Sequence, residues 1–166
     1  MNLEELRASQ APLKARYKNE PESALVTLHA QGTPDTAEQI CRVETFLGVV
    51  PAGLHPATGG SGASACSADM LLQALVACAG VTLGAVATSM GITVRGGRIE
   101  AAGVVDFRGT LGVSREAPVG FKSISLSFDL DTDAAPESLA KLLELTERYC
   151  VVYQTLKHSP ELSTRR

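Results

Sequence analysis

The stretch Gly59–Ala87, GGSGASACSADMLLQALVACAGVTLGAVA, decides how the rest of the chain is read. Its first residues are small, and then the character changes. From Met70 to Met90 no charged side chain interrupts 21 residues, a length that would cross a bilayer. The composition argues against a span. Gln73, Thr82, Thr88 and Ser89 interrupt the run, and neither an aromatic belt nor a Lys/Arg cluster flanks it. A helix apolar on every side has to be covered by something. The reading is a central helix buried in a soluble core. Ser67 serves as its N-cap, Asp69 sits in its first turn, and Gly91 is a natural C′ residue to end it.

Working outward, residues 51–66 (PAGLHPATGGSGASAC) hold two Pro and four Gly, too many residues for a hairpin turn, and read as a Gly-rich lid loop. Before it, Gln39–Val50 and Ala24–Ala30 are predicted strands. Residues 1–22, with Pro12 and Pro21, read as a loosely structured N-terminal arm. Beyond the helix, Arg98–Arg108 is a predicted strand interrupted by Gly103 as a bulge. In Phe121–Asp131, Ile124, Leu126, Phe128 and Leu130 alternate with Ser and Asp, the period of a sheet with one wet face. Pro136 sits where the first residue of a second helix belongs, and the pattern reaches Tyr149. Cys150–Leu156 reads as either a short helix or a returning strand. Strands, helix, strands, helix indicate an α+β fold with an antiparallel sheet, as one domain over 1–166.

Composition narrows the function. Hydrophobic residues at 45% and charged residues at 20% describe an ordinary globular chain. A net charge of −3 and seven aromatics without Trp leave neither a basic field nor a stacking platform for nucleic acid. The start, MNLEELRASQAPLKARYK, has no apolar core of a signal peptide, so a reducing, cytoplasmic setting is expected. The glycines Gly80 and Gly84 let another backbone approach the helix, either within the chain or from a second copy.

Chemistry rests on the cysteines. Cys41, Cys66, Cys78 and Cys150 contain no C-x-x-C pair, so a structural zinc site has no spacing to stand on, and no metal is expected. The Gly59–Gly62 run lacks the ending of a phosphate loop. Ser61 lacks a nucleophile elbow, and His29, His55 and His158 have no evident pairing with it. In a reducing compartment each thiol is either an inert core residue or redox chemistry. Cys78 lies mid-helix among apolar residues. Cys150 follows the polar stretch LTERY and is expected to be partly exposed.

The Gly-rich loop leading to an acid and then LLQALVAC resembles the signature region of the OsmC/Ohr family. The segments DFRGTLGV and VGFKSISLSFDLDTDAAPESLAKLLELTERYCVVYQTL are similar to its strand-strand-helix-Cys tail, so the likeness covers about Gly59 to Leu156. It implies an OsmC-like fold, with antiparallel sheets packed on a central buried helix in an interlaced homodimer. The implied activity is organic hydroperoxide reduction, with Cys78 as the peroxidatic thiol and Cys150 as the resolving thiol. Asp69 would be the orienting carboxylate. An external dithiol reductant, in this family often a dihydrolipoyl protein, would restore both thiols, with no bound cofactor. The family also uses an Arg to hold the thiolate. The segment AGLHPAT has His55 and no Arg, so Arg42 is the first candidate and Arg16 the second; Val151 stands where a Pro often follows the second Cys. Two other readings stand beside this one: a non-catalytic OsmC-fold protein that binds an apolar ligand or senses oxidants, and a thiol transferase or hydrolase.

Overall fold

The computed structural model describes residues 1–165, which fall into two compact units built from non-contiguous segments. One comprises Met1–Val26, Ala74–Glu100 and the chain from Ser127 onward; the other comprises Thr27–Gln73 and Ala101–Leu126.

In the first unit, the N-terminal residues form a helix, α1 (Leu3–Asn19), instead of a loose arm. The cause is local. The Asn2 side chain accepts the Glu5 N–H and the Glu5 carboxylate accepts the Asn2 N–H, each at 2.9 Å, a reciprocal capping box. Pro12 removes one helical hydrogen bond, at a typical cost of about 3 kcal/mol, but the Ala, Leu, Lys and Arg around it are strong helix formers. The propensity of the neighbours wins.

The apolar run forms α2 (Ser67–Met90), and its end is as predicted. Gly91 adopts φ +68°, and the N–H groups of Gly91 and Ile92 bond back to Thr88 and Ala87 at 3.2 and 2.9 Å. That is a Schellman stop. The burial differs from expectation. Leu75, Ala79, Leu83 and Ala87 are buried, one residue in four along a single stripe, while Val81 is 77% exposed. The helix is therefore covered on one face, not all round. With a mean hydropathy of 2.0 it is long and apolar enough to cross a membrane, a test that core helices also pass.

Leu83 and Ala87 pack with Leu142 of α4 (Pro136–Tyr149), against Ile92, Val94, Phe128 and Leu130. Val94 opens β5 (Val94–Val105), and Phe128 and Leu130 lie on the half-buried face of β6 (Phe121–Thr132), where the predicted alternation holds. Side-chain bonds from Ser125, Ser127 and Thr132 reach the carbonyls of Ala102, Glu100 and Thr93. The partner numbers fall as the donor numbers rise, so the two strands run antiparallel. The predicted irregularity sits at Gly97, not Gly103. Gly97 takes φ +141°, and a Cβ there would run into the Asp129 carbonyl oxygen. The helix α5 (Val151–Lys157) follows α4 after one residue and resolves the ambiguity of that segment.

The second unit holds β1 (Gly32–Asp35), β2 (Ile40–Thr45), β3 (Gly48–Gly53) and β4 (Ala65–Cys66), adjacent in that order. The first three pair antiparallel, but β4 runs parallel to β3. The predicted strand over 24–30 is absent: Pro21–Ala24 is a 3₁₀ turn and no ladder follows. The predicted strand over 39–50 folds back on itself at Phe46 and Leu47, which are 102% and 93% exposed. Gly48, at φ +127°, supplies the turn that hydrophobic patterning hides. The lid loop is also more ordered than expected. Its ends join β3 and β4, and a 3₁₀ turn (Pro56–Thr58) follows His55, whose Nδ1 accepts the Ala57 N–H. The His55 ring stacks at 5.1 Å on Phe107, in the short helix α3 (Phe107–Thr110).

Gly97→Ala should lower stability by about 1–3 kcal/mol, since it combines a left-handed backbone with a carbonyl collision. Its neighbour Gly96 has open space at the same place, so Gly96→Ala should be neutral or slightly stabilising in the same thermal melt.

Candidate active site

Two of the four cysteines meet. From Leu142 to Cys150 is eight residues, about 12 Å of helix at 1.5 Å per residue. From Leu83 and Ala87, which pack on Leu142, back to Cys78 is five to nine residues, about 8–13 Å in the opposite chain direction. Antiparallel packing of α4 on α2 thus carries Cys150 to Cys78.

Cys150 is a joint. It ends α4, its N–H bonding to the Thr146 carbonyl at 2.9 Å, and it is the N-cap of α5, its carbonyl accepting the Gln154 N–H at 2.9 Å. Its sulfur accepts the Tyr153 N–H at 3.5 Å, as an N-cap oxygen would. The joint is held from both sides. Buried Thr146 donates its hydroxyl to the Leu142 carbonyl, and the Gln154 amide donates to the Glu147 carbonyl, each at 2.8 Å. Cys150 is fully buried, which corrects the expectation of partial exposure; of the residues before it, Arg148 and Tyr149 are exposed while Thr146 is buried with it. Cys78 is half-buried.

The electrostatics separate the two thiols. Burial pushes Cys78 up, while the polar hydrogens of the Val152 amide, the Cys150 thiol, the Val151 amide and the Thr82 hydroxyl favour its charged form. Together they hold Cys78 below the ordinary thiol range. Burial also pushes Cys150 up. The Tyr153 N–H works against that, but the hydrogen bond to Cys78 and the charge there add to it, and Cys150 stays above the ordinary range. The mutual contact acts with opposite sign on the two, favouring thiolate at Cys78 and thiol at Cys150. The amides of Val151, Val152 and Tyr153 are the first three of α5, which a helix leaves without internal partners and which carry its positive end. Here the last is taken by the Cys150 sulfur, and the first two favour charge on Cys78.

The other predicted residues are distributed as follows. Asp69 is exposed in the first turn of α2, and Arg42 lies on β2 with its guanidinium 3.4 Å from Asp35; both belong to the second unit. Arg16 is exposed on α1 and pairs loosely with Glu20 at 3.9 Å. Cys41 and Cys66 are half-buried on β2 and β4 of the second unit. Sequence reasoning missed the α5 amides and Thr82. Backbone donors carry no residue identity, so nothing in the letters marks Val151 or Val152. Thr82 could have been found, since it stands one helical turn after Cys78 on the same face.

A family model described as OsmC-like protein matches residues 60–165. No curated protein matches the chain. Among solved structures it is similar to an OsmC-like protein from Mycoplasma pneumoniae, at 13% identity and TM-score 0.67, covering 81% of this chain and 89% of that one. It is also similar to an organic hydroperoxide resistance protein from Elizabethkingia anophelis, at 16% identity, TM-score 0.61 and coverage of 82% and 91%. The organic hydroperoxide resistance protein OhrB of Bacillus subtilis matches at 16% identity and TM-score 0.54, with 80% and 93% covered.

Alkylation followed residue by residue should find Cys78 reacting with a midpoint below the ordinary thiol range and Cys150 above it, because only thiolate reacts. Thr82→Val should move the Cys78 midpoint upward and leave Cys150 the slower thiol. Stability follows the same sign. The Cys78 thiolate contributes fully above the ordinary thiol range, and that contribution is lost as pH falls through its lowered folded value.

Proposed function

The chain belongs to the OsmC-like protein family, and on that premise we propose that it is a thiol-dependent peroxidase that reduces organic hydroperoxides through Cys78 and Cys150. One arrangement carries the reading: two thiols set against the same helix start, which favours thiolate at Cys78 and thiol at Cys150. A peroxidatic thiol has to be thiolate to attack, and a resolving thiol has to keep its proton until it is needed.

In the first step the Cys78 thiolate attacks the outer oxygen of ROOH. An S–O bond forms, the O–O bond breaks, and the alkoxide leaves and is protonated to ROH, with Cys78 oxidised to sulfenic acid. In the second, the Cys150 sulfur attacks that sulfenic sulfur. The S–S bond forms, and the hydroxyl leaves with the Cys150 proton as water. A dithiol, such as a dihydrolipoyl protein, then reduces the disulfide and is itself oxidised. The burial of Cys150 leaves Cys78 as the sulfur accessible to that reductant. To Asp69 we assign an orienting part in the peroxide step, on the strength of the family likeness at its position, and Arg42, outside the matched residues, is the candidate for the charge-holding part. The setting we assign is the cytoplasm, whose reducing poise keeps the thiols available.

We assign the functional form to a homodimer. The exposed apolar residues support this: Phe46, Leu47 and Val81 are each more than three-quarters bare and offer apolar surface to a second copy. Gly84 faces open space in the single chain, so Gly84→Leu has no clash to make there. Light scattering at micromolar concentration should give a dimer for the native chain, and Gly84→Leu should weaken it by roughly 1–3 kcal/mol through overpacking at the helix contact. A monomeric native chain would sink the assignment.

Cys78→Ser should abolish consumption of an organic hydroperoxide. Cys150→Ser should consume about one equivalent, leave a trappable sulfenic acid on Cys78, and stall. If Cys150→Ser turns over while Cys66→Ser stalls, the resolving role passes to Cys66. If Cys78→Ser retains turnover, the peroxidase reading is wrong.

A further inference from the structure

The helix α5 is too short to set its own direction. It has seven residues, none of them fully buried, and isolated helices shorter than about 12–15 residues are marginal in water. A single residue, Cys150, joins it to α4, so two backbone torsions govern the angle between the helices. Whatever fixes that angle also fixes the place of the Val151 and Val152 amides, which favour charge on Cys78.

One side chain spans the joint. The Gln154 amide nitrogen donates to the Glu147 main-chain carbonyl at 2.8 Å, seven residues back in the chain. Glu147 lies in the last turn of α4, whose final four carbonyls have no partner inside the helix. The Cys150 N–H takes the Thr146 carbonyl, and Gln154 takes the next one. The main-chain N–H of Gln154 bonds in turn to the Cys150 carbonyl at 2.9 Å. One residue therefore ties α5 both to the joint and, across it, to α4. Gln154 is half-buried, where water competes less for such a bond than at the surface. A second contact runs the same way. Burial and the Glu147 carboxylate together hold the Tyr153 phenol above its ordinary range, which sets that hydroxyl beside the same residue of α4.

We infer that Gln154 is a positioning residue for the thiol pair: by closing the α4–α5 joint onto Glu147, it fixes the place of the α5 start and with it the reactivity of Cys78. It acts through the backbone of α5 and not on the reacting sulfur. The inference rests on the peroxidase reading for its part in turnover, but not for its effect on the thiol.

The test is Gln154→Met in the full chain, which keeps the length of the side chain and removes its donors. Alkylation of Cys78 at neutral pH should slow about threefold, the scale of one net hydrogen bond, and its midpoint should move upward. Amide exchange at Val151 and Val152 should quicken in the same variant. Gly97→Ala, destabilised in β5, is the control and should leave the Cys78 midpoint in place. An unmoved midpoint in Gln154→Met, or the same shift in Gly97→Ala, overturns the inference. In single-turnover consumption of an organic hydroperoxide, the deficit of Gln154→Met should vanish at a pH above both midpoints, where Cys78 is thiolate in either chain. A deficit equal at every pH overturns the inference as well. If the native chain consumes no organic hydroperoxide, the peroxidase reading fails by itself, and the alkylation midpoint still decides the role of Gln154.

Discussion

The start of α5 is the constraint on which the site depends. A helix that begins at Val151 leaves its first three amides without partners inside the helix. Cys150 caps the helix by accepting the Tyr153 N–H, and the Val151 and Val152 amides favour charge on Cys78 of the facing helix. The same contact that satisfies the backbone also lowers one thiol and raises the other. Helix capping and redox polarity are therefore one interaction, and a change that displaces the α5 start disturbs both.

This arrangement removes the usual difficulty of a desolvated thiolate. Burial disfavours charge, and a cation near the sulfur is the common remedy. In the first unit the offset comes from N–H and O–H dipoles on the chain itself, from Val151, Val152 and Thr82. Dipoles fixed by a helix do not need to be recruited when the substrate arrives, an advantage for any step in which charge must be present beforehand.

The helix α2 shows how far a single chain can go. It buries a stripe in which large and small residues alternate, Leu75, Ala79, Leu83 and Ala87, and the last two pack with Leu142 of α4. The rest of its surface is apolar without being covered. The hairpin tip at Phe46 and Leu47 has the same character. Both features reflect a chain whose hydrophobic content exceeds what its own core takes in.

The sequence by itself determined the elements with strong local signals. These were the apolar helix ending at Gly91, the alternating strand over Phe121–Asp131, and the helix opened by Pro136, because period, capping and φ restriction act within a few residues. It also singled out Cys78 and Cys150, through likeness of pattern. It misjudged α1, where a capping box and good helix formers outweigh Pro12, and the Gln39–Val50 segment, where a turn at Gly48 is invisible to hydrophobicity. Only the tertiary structure decided that Cys150 is buried, that it caps a helix, and that the start of α5 favours charge on Cys78. Backbone donors have no side-chain identity, and their direction is set by packing between helices 72 residues apart in the chain from Cys78 to Cys150.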